Sequence, residues 1–277
     1  MISCYWEYFY LCYHDLQFIP SQKGSVLAKT YRAIHQWDHW LQQFLGHYVL
    51  EAEQALLFSL LAKQYGKHTL LIGSPRQQPL LNASVMSHHL LLSPLTSKNQ
   101  MVRNVEGELY ELPIASGSVD LVILPHTFEL IDNPQKLLSE SCRIVKPEGH
   151  IIIFGFNPYS FWGLKKFLLK SKSVPWSGNF VSSKTVTKWL GLSDFQLVKR
   201  DGLLFRPPTN HQKLFSKLKW LEWLGRKCCP SIGGVYMVMA QAKIVPLTPI
   251  KMRWKQQLSG VRATIPKPTI RSIRNSR

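Results

Sequence analysis

The sequence predicts an α/β fold: a mostly parallel sheet with an antiparallel C-terminal strand and helices on both faces. Three observations carry this expectation. Residues 119–125 (VDLVILP) and 151–156 (IIIFGF) are continuous apolar runs of strand length, as expected where both faces of a sheet are covered. Between them Asn133-Pro134 opens a helix with Leu137, Leu138, Cys142, Ile144 and Val145 on its apolar side. Strand, helix, turn and strand then follow in the order of a right-handed βαβ unit. Residues 233–244 (GGVYMVMAQAKI) are the last apolar run with strand character.

The other elements follow in chain order. From residue 25 to 65 the apolar residues Ile34, Trp37, Leu41, Phe44, Leu45, Val49, Leu50, Leu56, Leu57, Leu60 and Leu61 recur at helical spacing, which predicts two helices broken near Gly46. HTLLIG, residues 68–73, is a short apolar run closed by glycine and reads as the first buried strand. A short helix is expected near Pro79, a second strand in residues 88–94 and a third in 101–107. About eight residues separate those two strands, whereas a parallel crossover needs roughly a dozen, so either the connecting helix is missing or one strand is misread. After residue 157 come an amphipathic basic stretch (FWGLKKFLLKSK), a helix over 183–190, a strand within FQLVKRDGLLF and a Lys/Trp-rich stretch over 210–227. These readings divide the chain into a helical leader (1–65), an α/β domain (66–245) and a basic, proline-bearing tail (246–277) without periodicity.

Composition limits the function classes. The 277 residues are 45% apolar, enough for a full core, which excludes disorder of the whole. No apolar run approaches the roughly 20 residues of a membrane-spanning helix, and the aromatic N-terminus lacks the basic flank and cleavage site of a signal peptide. Five cysteines, an odd count without C-x-x-C spacing, fit free thiols in a reducing cytoplasm. The adjacent Cys228 and Cys229 have no second pair nearby, so no metal site is expected. The net charge of +18 is lopsided: residues 1–164 hold 11 Lys/Arg against 13 Asp/Glu, residues 165–229 hold 14 against 3, and residues 230–277 hold 9 against none. A positive field confined to residues 165–277 favours an anionic partner there, nucleic acid or membrane surface, or is a solvated surface with no dedicated partner.

The segment from Gly107 to Phe156 carries a more specific signal. Its markers are Glu108 ahead of Leu112-Pro113-Ile114, then Ser118-Val119-Asp120-Leu121-Val122, Asp132-Asn133-Pro134, and Arg143-Ile144-Val145-Lys146-Pro147-Glu148-Gly149. In order and spacing this resembles the second half of type 11 class I S-adenosylmethionine-dependent methyltransferases. The resemblance implies a Rossmann-like sheet, S-adenosylmethionine as cofactor, and methyl transfer to an unidentified acceptor, such as a small molecule, in a bacterial cytosolic protein. It also implies that Glu108 and the Leu109 amide hold the adenine, that the backbone at Gly73 and Ser74 meets the methionine end, and that Pro125 and His126 close the fourth strand beside it.

The chain departs from that pattern upstream. Where the family has Gly-x-Gly-x-Gly after the first strand, residues 73–79 read Gly-Ser-Pro-Arg-Gln-Gln-Pro, with one glycine and two prolines. No acid ends the second strand; His88, His89 and Ser93 stand there. His126, at a strand's carboxyl end, is the candidate catalytic residue, either a proton acceptor or a histidine hydrogen-bonded at the strand end. Glu129 either orients it or caps the next turn. The alternative to an enzyme is a non-catalytic protein of the same fold that contacts nucleic acid or an anionic surface through its basic C-terminal region.

Overall fold

The computed structural model of the protein describes residues 23–95, 103–105, 109–169, 173–209, 212–228 and 232–243. The aromatic N-terminus, Glu108 and the tail from residue 246 lie outside these. Among the described residues, seven strands form one sheet in the order β3-β2-β1-β4-β5-β7-β6, flanked by helices. The strands are β1 (His68–Ile72), β2 (His88–Leu92), β3 (Arg103–Val105), β4 (Val119–Pro125), β5 (Val145–Phe156), β6 (Phe195–Leu203) and β7 (Val235–Ala242). All neighbouring pairs from β3 to β5 are parallel, while β7 runs antiparallel to both β5 and β6. The predicted mixed sheet is therefore present, with its antiparallel strand inserted next to the edge. Leu70, Leu71, Ile72, Leu121, Val122, Ile123 and Ile151 to Phe154 are fully buried, which is why these strands read as unbroken apolar runs.

Both strands flanking the short crossover exist and pair in parallel, Leu90 opposite Arg103, so neither was misread; most of the link between them lies outside the described residues. The helix expected near Pro79 is a 3₁₀ helix over Pro75–Ala83, entered earlier because Pro75 suits a first helical position. α1 (Lys23–Trp40) and α2 (Phe44–Leu61) are two helices, but the break falls at residues 41–43 and not at Gly46. Gly46 is inside α2, where a Cβ would run into the Trp40 carbonyl oxygen and the Leu41 backbone. The glycine thus permits the close approach of the two helices instead of ending one. Gly46→Ala should destabilise the protein by about 1 to 3 kcal/mol, read as a lowered denaturation midpoint, because the contact is to backbone that cannot rotate away.

Much of the string that matched by sequence is scaffold. Asp120, at the start of β4, accepts hydrogen bonds from the Lys67 and His68 amides and pairs with Lys146 at 2.8 Å. Although partial burial pushes the other way, these donors hold its carboxyl below the usual range. It thereby joins the amino ends of β1 and β4 to the start of β5, opposite the ligand end of the sheet. α3 (Thr127–Leu130) is one turn, and α4 (Pro134–Ile144) begins as expected, with the Asn133 side chain accepting from the Lys136 amide. Arg143, in its last turn, donates to the carbonyls of Leu112 and Ile114 and to Glu140, pinning the loop before β4. The later helices are α5 (Phe161–Leu169), α6 (Ser183–Leu192), α7 (Gln212–Lys217) and α8 (Lys219–Cys228).

Candidate functional site

The strand order reverses between β1 and β4, and ligands of open α/β sheets bind in the crevice beyond the carboxyl ends of strands at such a point. Gly73, Ser74, Pro125 and His126 stand at the carboxyl ends of β1 and β4. Gly73 follows β1 and donates its amide to Leu92 O, Ser74 is fully buried, and Pro125 is the last residue of β4. Leu109 is buried beyond β3, and Glu108 lies outside the described residues. His88 is exposed at the beginning of β2, away from this end of the sheet. Ser93 is buried and its hydroxyl accepts from the Leu95 amide.

What fills the crevice is Gln77, a residue that sequence reasoning passed over. Its side chain is wholly buried; Oε1 accepts from the Ser74 amide at 2.9 Å and Nε2 donates to Pro125 O at 3.0 Å. A Cβ on Gly73 would come within 2.5 Å of that Oε1, so the single glycine of the loop makes room for this side chain. The primary amide presents an acceptor to an N–H and a donor to a carbonyl. An amino acid's carboxylate and ammonium would satisfy the same two backbone groups in the same sense.

His126 caps the end of β4 in the left-handed region, φ 56°, with its ring fully buried. Its Nε2 lies 2.7 Å from Glu53 Oε1, contributed by α2, and its Nδ1 faces Glu129 Oε1 at 3.6 Å. Burial alone would lower its pKa, but the two facing carboxylates outweigh that and push it up to about 9. Burial also raises Glu53 above the ordinary carboxylate range, against the pull of His126. Trp37 and Phe156 cover the imidazole, with ring centroids 5.0 and 4.2 Å away. With its pKa raised and Nε2 held by Glu53, the ring as placed favours the protonated form and is hydrogen-bonded at the strand end. Glu129 faces Nδ1 without a hydrogen bond to it, and its Oε1 accepts the Phe156 amide at 2.7 Å.

Glu53 was not singled out from the sequence, yet a signal existed. It falls on the stripe Leu45, Val49, Glu53, Leu57, Leu61, whose members are all buried, and a carboxylate in the middle of an apolar stripe needs a buried partner. The turn after β5, NPYSFWG, is a packed corner: Asn157 accepts from the Tyr159 amide, and buried Trp162 donates to Arg206 O. A cavity of about 550 Å³ opens beside the site, lined by Lys29, Arg32 and Gln36 of α1, by residues 129–132 and by Ser177, Gly178 and Asn179. A second, of about 490 Å³, shares Gln36 and Val174 with it. Among the described residues no cluster of His, Cys, Asp and Glu has metal-site geometry, and no helix is long and apolar enough to cross a membrane.

Residues 77–153 match the family model of a methyltransferase domain of type 11. Over 232 residues the chain is 27% identical to the uncharacterised protein YafS of Escherichia coli (strain K12), covering 82% of this chain and 90% of that one. Among solved structures it resembles a SAM-dependent methyltransferase of Thermotoga maritima described as a possible histamine N-methyltransferase, with a TM-score of 0.60 at 16% identity, over 79% of this chain and all of the other. A SAM-dependent methyltransferase from Archaeoglobus fulgidus superposes with a TM-score of 0.51 at 18% identity, over 69% of this chain and 94% of its own.

Proposed function

We propose that this chain, which carries a class I methyltransferase domain in its central strands, is an S-adenosylmethionine-dependent methyltransferase acting on a small acceptor. The observation that carries the reading is the match over residues 77–153, which begins at Gln77 and spans the crevice strands β2, β4 and most of β5. The residues present fit the cofactor on one condition: the Gln77 amide must leave. Ser74 N–H would then receive the carboxylate and Pro125 O the ammonium, the two contacts Gln77 now makes within the chain. Leu109 stands on the adenine side, with Glu108 proposed as the acceptor for the adenine amino group.

When bound, S-adenosylmethionine supplies an electrophilic methyl group on a sulfonium. The chain's part is to hold the acceptor in line with it and to keep water out. The cavity lined by Glu129 and by α1 is of the size that encloses small ligands. The buried His126–Glu53 pair closes the crevice under Trp37 and fixes α1 and α2 over it.

The Gln77 plug also supports a second reading, a protein of this fold that does not transfer methyl groups. Titration calorimetry with S-adenosylmethionine and its demethylated product separates the two. The enzyme reading expects weak but measurable heat, with affinity below that of relatives having open glycine loops. Absence of heat and of any thermal shift at millimolar concentration, in both the natural chain and a Gln77→Ala variant, would leave only the non-catalytic reading.

A further inference from the structure

α5 and α8 are held on one part of the surface by the segment that follows β6. Lys165 of α5 donates to Pro208 O at 2.6 Å, Trp162 of α5 donates to Arg206 O, and Arg206 pairs with Glu222 of α8 at 3.3 Å. Each helix turns an apolar stripe to solvent. On α5, Phe161, Leu164 and Leu168 share one side at i, i+3 and i+7, with Phe167 beside them 74% exposed. On α8, Trp220, Trp223 and Leu224 do the same, Trp223 being 66% exposed. Soluble surfaces rarely leave so many large apolar groups together without a partner.

Around these stripes the charge is of one sign. Lys213, Lys217, Lys219 and Lys227 are exposed nearby, and Lys227 lies over the Trp223 ring at 5.2 Å. Two of the three acids within residues 165–229 are engaged, Glu222 by Arg206 and Asp201 by Lys199 at 3.2 Å. Helices with exposed Trp, Phe and Leu on one side and lysines along the border suit the headgroup and acyl boundary of an anionic bilayer, where apolar burial and charge attraction act together. Nucleic acid would use the lysines and could stack on the tryptophans, but gives Leu164, Leu168 and Leu224 nothing to bury against.

We infer that the α5–α8 face is a peripheral docking surface for anionic phospholipid membranes, separate from the crevice at β1 and β4.

The test is flotation of the full chain with vesicles of phosphatidylcholine alone or mixed with phosphatidylglycerol, at low and physiological salt. Binding to the mixed vesicles, weakened by salt and absent on phosphatidylcholine, is expected. The variant Phe167→Ser, Leu168→Ser, Trp220→Ser, Trp223→Ser should partition at least about tenfold less while keeping its melting temperature, because all four side chains are exposed. Brominated lipid should quench tryptophan fluorescence of the natural chain more than that of the variant. Failure to float with phosphatidylglycerol vesicles would overturn the inference. So would equal partitioning of the two proteins, which would reduce the interaction to charge, or retention on single-stranded RNA in preference to vesicles.

Discussion

Glu53→Ala should cost about 3 to 5 kcal/mol of folding stability, the loss typical of removing one partner from a buried ion pair. The variant leaves the His126 imidazolium fully buried, facing only Glu129 at 3.6 Å. Against a total stability of roughly 5 to 15 kcal/mol this is a large fraction, so a strongly lowered melting temperature is the expected readout. Glu53→Gln keeps an oxygen within reach of Nε2 and should lose less. The pH dependence carries a sign of its own. His126 is raised from 6.5 in the unfolded chain to about 9 when folded, so its contribution is fully present below about 6.5 and disappears as pH climbs through 9. The raised Glu53 acts in the same direction, because the folded state again holds the proton more tightly. Stability of the natural protein should therefore fall between pH 6.5 and 9, and the slope should flatten in Glu53→Gln. A slope unchanged by that substitution would mean that the pair does not set it.

Gln77→Ala is expected to raise the affinity for S-adenosylmethionine about thirtyfold. Displacing the Gln77 amide breaks two buried hydrogen bonds, each worth about 1 kcal/mol net, and the variant has no such bonds to break. Without ligand, the same substitution should destabilise the fold by about 1 to 3 kcal/mol, since the Ser74 amide and the Pro125 carbonyl lose their partner. The thermal shift on adding cofactor should accordingly be larger in the variant than in the natural chain. Gln77→Met separates occupancy from hydrogen bonding: it lacks the same two hydrogen bonds but keeps a similar volume beside Gly73, so a tightening close to that of the alanine variant is expected. Little tightening in the methionine variant would show that the plug acts by filling the space and not through its polar contacts.

The position of Gln77 also gives the odd loop sequence a physical reading. A run of glycines would leave open space at the end of β1; here Pro75 and Pro79 wind residues 75–83 into a 3₁₀ helix that brings Gln77 back over Gly73. The departure from the family pattern is thus a filled crevice and not merely a stiffened loop. Sequence inspection found the missing glycines but could not supply their consequence, which depends on where a side chain four residues on comes to rest.

The sequence by itself determined the strands and helices whose signals are local. Continuous apolar runs marked β1, β4, β5 and β7 because a covered sheet buries both sides of each strand, and Asn133-Pro134 marked the start of α4 because it supplies a cap and a first-turn proline. Charge asymmetry was equally legible, since it is a count. Only the tertiary structure decided what depends on partners far apart in the chain: β7 enters between β5 and β6, His126 pairs with a carboxylate 73 residues upstream, and Gln77 reaches a carbonyl 48 residues downstream. Local spacing cannot encode those outcomes, because a buried polar group's charge state and orientation are fixed by whichever groups the fold brings against it.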